Sequence, residues 1–222
     1  MNSAFIFDFD GTLGETIPLA LAAMREAYVR NGLVPPTIEH LVAHFGPTEH
    51  GLLKKLHPEL GDKLFADYLA AYETLHPQIS PAPFTGLPEI LKRLKAAGIP
   101  AGIVTGKSAE SLKISLNAYG IAPYFSELEG GGPIGSIKPE KIEKILGRWN
   151  MAADKVFYVG DSDQDIRDAR KAGVKMLAAQ WSKHSAPIDV VRALKPDEIF
   201  PTVSSFSSWL DVSGFPKVPQ DS

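Results

Sequence analysis

The sequence predicts an α/β fold built on a parallel sheet, and three observations lead to it. From residue 88 onward, short apolar runs alternate with amphipathic helical stretches, the rhythm of βαβ units. One further apolar run, "AFIFD" (4–8), stands apart, separated from the rest by a segment in which no strand is evident between Gly14 and Pro81. Polar residues with chemical potential then follow the apolar runs, at the strand ends where parallel sheets bind ligands.

Taken in order, residues 4–8 form the first strand. Phe5, Ile6, Phe7 and Phe9 are interleaved with Asp8 and Asp10, and Gly11-Thr12 breaks the pattern. Ile17, Leu21, Met24 and Tyr28 recur at i, i+4, i+7 and i+11, one face of a helix that Asn31-Gly32 ends. Shorter helical stretches follow around 37–44, 48–56 and 62–76. "HPQISPAPFTGLP" (76–88) carries Pro77, Pro81, Pro83 and Pro88 and reads as a linker. Residues 88–98 form a helix with Pro in its first turn and Gly at its end. "IPAGIVTG" (99–106) is a buried strand, and 108–120 a helix with Ser108 as N-cap. Residues 138–150 form a helix with Ile142, Ile145, Leu146 and Trp149 on one side. A strand at 155–160, a helix at 162–173 and a strand at 174–181 complete the series, and the tail 214–222 is expected to fray. The prediction is therefore a Rossmann-like parallel sheet interrupted after its first strand by a helical block.

Composition narrows the class. The 222 residues are 44% hydrophobic and 22% charged, ordinary for a globular protein. A net charge of −3 gives no basic signal for nucleic acid. Cys is absent, which excludes disulfides and thiolate chemistry and fits a reducing cytosol. The run Ala4 to Phe7 is far too short for a signal peptide or membrane span. Nothing in the sequence points to an oligomeric state.

Two acids on an apolar segment are costly to bury unless something pairs with them. Asp8 and Asp10 follow the first strand, Thr105 and Gly106 end the second, Asp161 follows "VFYVG", and Asp165 lies one helical turn later. Lys138 opens a helix after "EGGGPIGS" (129–136), a position the positive end of a helix dipole disfavours. With the strands adjacent, these groups share one edge. Clustered carboxylates call for a hard cation, and Mg²⁺ takes one or two carboxylates plus substrate phosphate. Lys138 supplies a compact charge for a phosphoryl oxygen. Thr105 supplies a hydroxyl, and the helix opening at Ser108 supplies N–H groups. A carboxylate can itself attack phosphorus.

"DFDGTL", "VTGKS", "IKPEK" and "GDSDQD" stand in an order and setting that resemble the haloacid dehalogenase superfamily, in particular its phosphoglycolate phosphatase-like branch with a helical cap. The resemblance implies a catalytic core over 1–14 and 83–222 and a cap over 15–82. It implies a Mg²⁺-dependent phosphatase acting on a small phosphorylated metabolite through an aspartyl-phosphate. Asp8 would be the nucleophile, Asp10 the general acid and then base, Thr105 and Gly106 the phosphoryl-binding segment, and Lys138 the charge neutraliser. Asp161 would hold the metal with Asp8 and the Asp10 carbonyl, and Asp165 would bind or orient that shell. Phe9 is read as core.

The chain departs from the family pattern at two points. Gly14-Glu15-Thr16 replaces x-Asp-Ser/Thr, which leaves Glu15 either as a longer substitute or as a residue of the cap hinge. Gly106 replaces Asn, so Lys107 or a backbone N–H takes the part of the missing amide. Asp163 reads as a first-turn acid, "GGGPIG" as a flexible turn, and His40 and His44 as a helix surface. "HFGPTEHG" (44–51) places Thr48, Glu49 and His50 as candidate substrate contacts, with Glu49 accepting from hydroxyl- or amine-bearing leaving groups. Two alternatives stay open: a phosphosugar mutase of β-phosphoglucomutase type, and a non-catalytic phosphate-binding protein on the same fold.

Overall fold

The computed structural model describes residues 3–135 and 137–216. Its centre is a six-stranded parallel sheet, with strands β1 (Ala4–Phe7), β2 (Ala101–Val104), β3 (Glu127–Glu129), β4 (Val156–Gly160), β5 (Lys175–Ala179) and β6 (Glu198–Phe200). The spatial order is β3-β2-β1-β4-β5-β6, so the first strand lies in the middle and the connections diverge on either side of it. β1 pairs in register with both neighbours, Phe5 opposite Ala101 on one side and Phe157 on the other. Strands buried on both faces read as continuous apolar runs, and β1 is buried at every residue.

Alternation along β1 feeds two cores. Phe5 and Phe7 face α5 (Leu87–Ala96), α6 (Ala109–Tyr119) and α10 (Val203–Val212), among Leu91, Leu94, Leu112, Phe206 and Leu210. Ala4 and Ile6 face α7 (Lys138–Trp149), α8 (Asp163–Ala172) and α9 (Ile188–Leu194), among Ile142, Ile145, Ile166 and Val191. Full burial of each large apolar side chain stabilises by about 1.5–3 kcal/mol. That gain offsets the cost of carrying two acids just beyond the strand.

Between β1 and α5 lie α1 (Ile17–Arg30), α2 (Ile38–Val42), α3 (Glu49–Leu56) and α4 (Gly61–Ile79). They bury a third cluster of their own, including Met24, Tyr28, Leu53, Tyr68 and Tyr72. The proline-rich segment is shorter than the sequence suggests, because α4 continues through Pro77 to Ile79. Proline costs little there: its missing N–H and its ring affect a single turn close to the helix end.

The elements β3, α9, β6 and α10 are absent from the sequence-based reading. The tail also differs from expectation at its start. Phe215 is buried in the core, and the buried Arg93 donates to the carbonyls of Phe215 and Pro216 and to Asp211, 2.8 Å away. Residues 217–222 of the predicted frayed tail lie outside the described residues.

The helix carrying Lys138 is fastened to the sheet edge by charge. Glu129, at the end of β3, receives Lys141 at 2.7 Å, Lys144 at 2.9 Å and Arg148 at 2.7 Å. Burial opposes ionisation of Glu129, but these three donors outweigh it and hold the carboxyl down at about 2, against an ordinary 4.5. A depressed folded-state value gives stability that is present above the ordinary value and lost as pH falls through the folded one. Glu129→Gln should therefore cost about 1–2 kcal/mol at pH 7. In urea denaturation the gap from the parent protein should narrow between pH 4.5 and pH 3, and a gap that stays constant would remove Glu129 from this role.

Candidate active site

β1 delivers its acids through a tight turn. The Asp8 N–H still donates to the Val159 carbonyl, 2.8 Å away, and the N–H groups of Thr12, Leu13 and Gly14 then converge on the Phe9 carbonyl. Gly11 sits at φ +76°, and a Cβ there would lie 2.2 Å from Asp161 Oδ2, so the turn requires glycine on two counts. Phe9 is buried and stacks on Tyr119, as core.

Asp8, Asp161 and Asp165 are buried together, one oxygen of each lying within 4.8 Å of the others. Lys138 Nζ bridges two of them, 3.0 Å from Asp8 Oδ2 and 2.6 Å from Asp165 Oδ1. Asp165 is fully engaged: Oδ1 also accepts from Tyr158 at 3.1 Å, and Oδ2 accepts from the Ser162 N–H at 3.0 Å and hydroxyl at 2.6 Å. Asp161 Oδ1 accepts from Thr12 at 3.1 Å. Among the described residues, no hydrogen-bond donor reaches the buried Asp8 Oδ1.

The charge balance matches this geometry. Burial pushes the Asp8 carboxyl up to about 6, against the pull of Lys138. Burial, then the charges of Asp165 and Asp8, push Asp161 well above the usual carboxylate range. Asp165 is held below that range, because Lys138 and Ser162 outweigh its burial. Burial works against the Lys138 charge, but Asp165 and Asp8 hold its ammonium well above the ordinary lysine value. Three carboxylates around one ammonium leave an excess of negative charge in a dry place. An oxygen without a donor beside that excess fits a divalent cation bound through oxygen ligands.

Asp10 lies across the same cavity, which has a volume of about 830 Å³. Its Oδ1 accepts from the Thr16 hydroxyl at 2.5 Å and from Lys107 Nζ at 3.0 Å. Thr105 is buried at the end of β2 and accepts from the Lys107 N–H at 3.4 Å, so its own O–H is available to donate. Gly106 lines the cavity, and the space where its Cβ would stand is open. The Lys107 side chain turns toward Asp10 and over the Tyr72 ring, 4.7 Å from its centroid.

The three candidates from the helical insert separate. Thr48 caps α3, its hydroxyl accepting from the Gly51 N–H at 3.2 Å. His50 points away from the cavity, with Nε2 2.8 Å from Asp62 and its ring stacked on Phe65. Glu49 lines the cavity, but its oxygens are already taken. Oε2 accepts from the Ser108 N–H at 2.7 Å, and Oε1 accepts from Ser111 at 2.7 Å and Tyr68 at 3.1 Å, with Lys107 at 3.5 Å. Burial opposes its charge, but Lys107, Ser108 and Ser111 hold the carboxyl below its ordinary value. The anion expected at the start of α6 is thus Glu49 itself. Expected as an acceptor for substrate, Glu49 is instead a fastener between the insert and the sheet domain.

Two more contacts complete that fastening. The Thr48 N–H donates to the Gly132 carbonyl at 2.9 Å, and a Cβ at Gly51 would lie 2.2 Å from the Pro133 carbonyl. The glycine-rich segment, expected as a flexible turn, is a docking surface for α3; Ser136 within it lies outside the described residues. Glu15 reaches across to the segment after β5. It joins Ser182 at 3.0 Å and His184 at 2.6 Å, at the entry to the insert. Thr12, Tyr158 and Ser162 escape sequence reasoning, because each looks like ordinary turn, strand or cap chemistry.

Residues 5–179 match the family model described as haloacid dehalogenase-like hydrolase. A phosphoglycolate phosphatase of Xylella fastidiosa is 30% identical, over 81% of each chain. Pyrophosphatase PpaX of Halalkalibacterium halodurans is 26% identical over 94% of this chain and 95% of its own. The fold is shared with CbbY from Rhodobacter sphaeroides, solved in complex with phosphate, at a TM-score of 0.77 and 17% identity over 93% of this chain and 96% of that one.

Removing Glu49 should be expensive, because it strips partners from Ser108, Ser111 and Tyr68 in a dry interface. Glu49→Ala is expected to lower stability by about 2–4 kcal/mol in chemical denaturation. Limited proteolysis within 14–16 and 80–86 should accelerate in parallel. Unchanged stability with unchanged proteolysis would show that the insert docks without it.

Proposed function

The chain belongs to the haloacid dehalogenase-like hydrolase family, and from that premise we propose that it is a Mg²⁺-dependent phosphatase hydrolysing a small phosphomonoester through an aspartyl-phosphate on Asp8. One observation carries the reading: Asp8 Oδ1 is buried without a donor among the described residues, beside Lys138, in a cavity that Asp10 also lines.

In the first step an Asp8 carboxylate oxygen forms a bond to phosphorus while the bond from phosphorus to the ester oxygen breaks. Asp10 delivers a proton to the departing alcohol. In the second step water attacks phosphorus, Asp10 takes its proton, and inorganic phosphate leaves with the Asp8 carboxylate restored. Lys107 and Thr16 hold Asp10 in place for both transfers. Thr105 donates to a phosphoryl oxygen, and the open space at Gly106 leaves room for it. Lys138 balances charge on Asp8 and on the phosphoryl group.

Asp8 and Asp161, with the Asp10 carbonyl, would hold the metal. When bound, it neutralises their repulsion and the charge of the phosphoryl group. Asp165, the third acid of that cluster, would orient the metal's surroundings and fixes Lys138 through oxygens that also accept from Tyr158 and Ser162. A division into a catalytic core (1–14 and 83–222) and a cap (15–82) is supported by the separate buried cluster of α1–α4. Among the described residues no helix is long and apolar enough to cross a membrane. The absence of Cys fits a cytosolic setting.

Asp8→Asn tests the reading. It keeps the shape but removes the attacking anion, so turnover of p-nitrophenyl phosphate with Mg²⁺ should fall by at least about 10³-fold while inorganic phosphate still binds. Chelation should abolish the activity of the parent protein reversibly. Substantial turnover by Asp8→Asn would refute the covalent route, and full activity in excess chelator would refute the metal.

A further inference from the structure

The cavity has two unlike walls. Asp8, Asp10, Thr105, Lys107 and Lys138 form one side. The facing side is built from the insert, with Ile17 and Met24 on α1, Val42 and Phe45 at and beyond the end of α2, and Leu52 on α3, and it continues onto Val190 of α9. Val42, Phe45 and Val190 are 47%, 41% and 40% exposed, so this is apolar surface left open to solvent inside a cavity. Exposed apolar area concentrated at a concave site marks where an apolar group is to be buried.

Charge points the same way. Among the described residues lining the cavity, the basic side chains are Lys107, Lys138 and His184. Each already faces a carboxylate: Lys107 faces Asp10 and Glu49, Lys138 faces Asp165 and Asp8, and His184 faces Glu15. The other charged lining groups, Asp8, Asp10, Glu49 and Asp163, are acids, Asp163 being paired with Arg167. A second anionic group on the substrate, such as the carboxylate of glycolate or a further phosphate, would enter without a counter-ion and beside like charge. Such burial is strongly disfavoured.

Resting on the reading of this site as that of a phosphomonoester hydrolase, we propose that the substrate is the phosphate ester of an uncharged, largely apolar alcohol, an alkyl or aryl group seated against Ile17, Met24, Val42 and Phe45. The chain is thereby set apart from relatives named for phosphoglycolate or pyrophosphate. Specificity is carried by the insert wall through area, and Glu49 contributes by holding that wall in place.

The test is a series of alkyl phosphates from ethyl to hexyl, whose leaving groups have nearly equal intrinsic reactivity, assayed with Mg²⁺ beside phosphoglycolate and pyrophosphate. Burying one methylene is worth about 0.8 kcal/mol, so kcat/KM should rise about threefold to fourfold per carbon over this range. Hexyl phosphate should exceed phosphoglycolate at least about tenfold. Phe45→Ala should flatten the slope, and Val42→Arg, at a cavity position 47% exposed, should shift preference toward phosphoglycolate. A flat series, or phosphoglycolate turned over as well as hexyl phosphate, would overturn the substrate class and leave the hydrolase reading standing. Failure to hydrolyse any ester, p-nitrophenyl phosphate included, would overturn the hydrolase reading instead. Calorimetry then decides the class separately with two non-hydrolysable isosteres: heptylphosphonate should bind at least about tenfold tighter than 3-phosphonopropionate, and equal or reversed affinity would overturn it.

Discussion

Everything at this site depends on one ammonium group. Lys138 Nζ stands between Asp8 and Asp165, and no other cation reaches the buried acids at the ends of β1 and β4 among the interactions described. Like charges packed this closely cannot all ionise unless something compensates. The division of the burden is uneven: Asp165 is held ionised by four donors, whereas Asp8 and Asp161 are pushed up. The cluster thus contains one settled carboxylate that orients the lysine and two unsettled ones that gain from a further positive charge. The rest of the core serves to hold this arrangement. The β3–α7 ion cluster sets where the helix begins, and the fully paired central strand sets where Asp8 ends.

A second lysine links this core to the insert. Lys107 touches Asp10 and Glu49, one from each side of the cavity, and it packs over Tyr72 of α4. Glu49 in turn takes the N–H that α6 presents at its start. Docking of the insert is therefore felt at Asp10 through two contacts. Were α3 to lift away, Lys107 would lose a counter-charge and the start of α6 would lose its anion. The contacts of Glu49 and Lys107 add polar, directional pairing to the apolar contact that Ile114 of α6 makes with the insert's cluster.

How much of this is legible in the sequence follows from distance along the chain. Asp8, Asp10, Thr105, Lys138 and Asp161 are readable because each sits at a strand end or helix start, where the local pattern fixes its position, and the central strands are long apolar runs. The edge strands β3 and β6 have three residues each, too few for a period of two to register. The extension of α4 through Pro77 overrides a local breaker by tertiary packing. Glu49 is misread for a different reason. It lines the cavity, but its partners at 108 and 111 lie about sixty residues away, and no local rule reports that both its oxygens accept from the fold. Thr12 and Tyr158 are hidden because a turn threonine and a strand tyrosine have ordinary reasons to exist.

The filling of Glu49 changes what kind of recognition the site can perform. A carboxylate with free lone pairs in an active-site wall selects donors and discriminates sharply when one is missing. A carboxylate held by contacts within the fold has less capacity left for a substrate donor, and the rest of the insert's wall is aliphatic and aromatic. Recognition through apolar area is graded, about one increment per methylene, and tolerant of shape. The strong, directional interactions are thus concentrated around Lys138, Thr105 and the paired acids, the side proposed to take the phosphoryl group that every substrate would share. The weak and additive ones lie on the side where substrates differ. On the proposed reading, chemistry and selection are thus carried by separate walls, and Phe45 and Val42 make no contact with the Asp8–Lys138–Asp165 array.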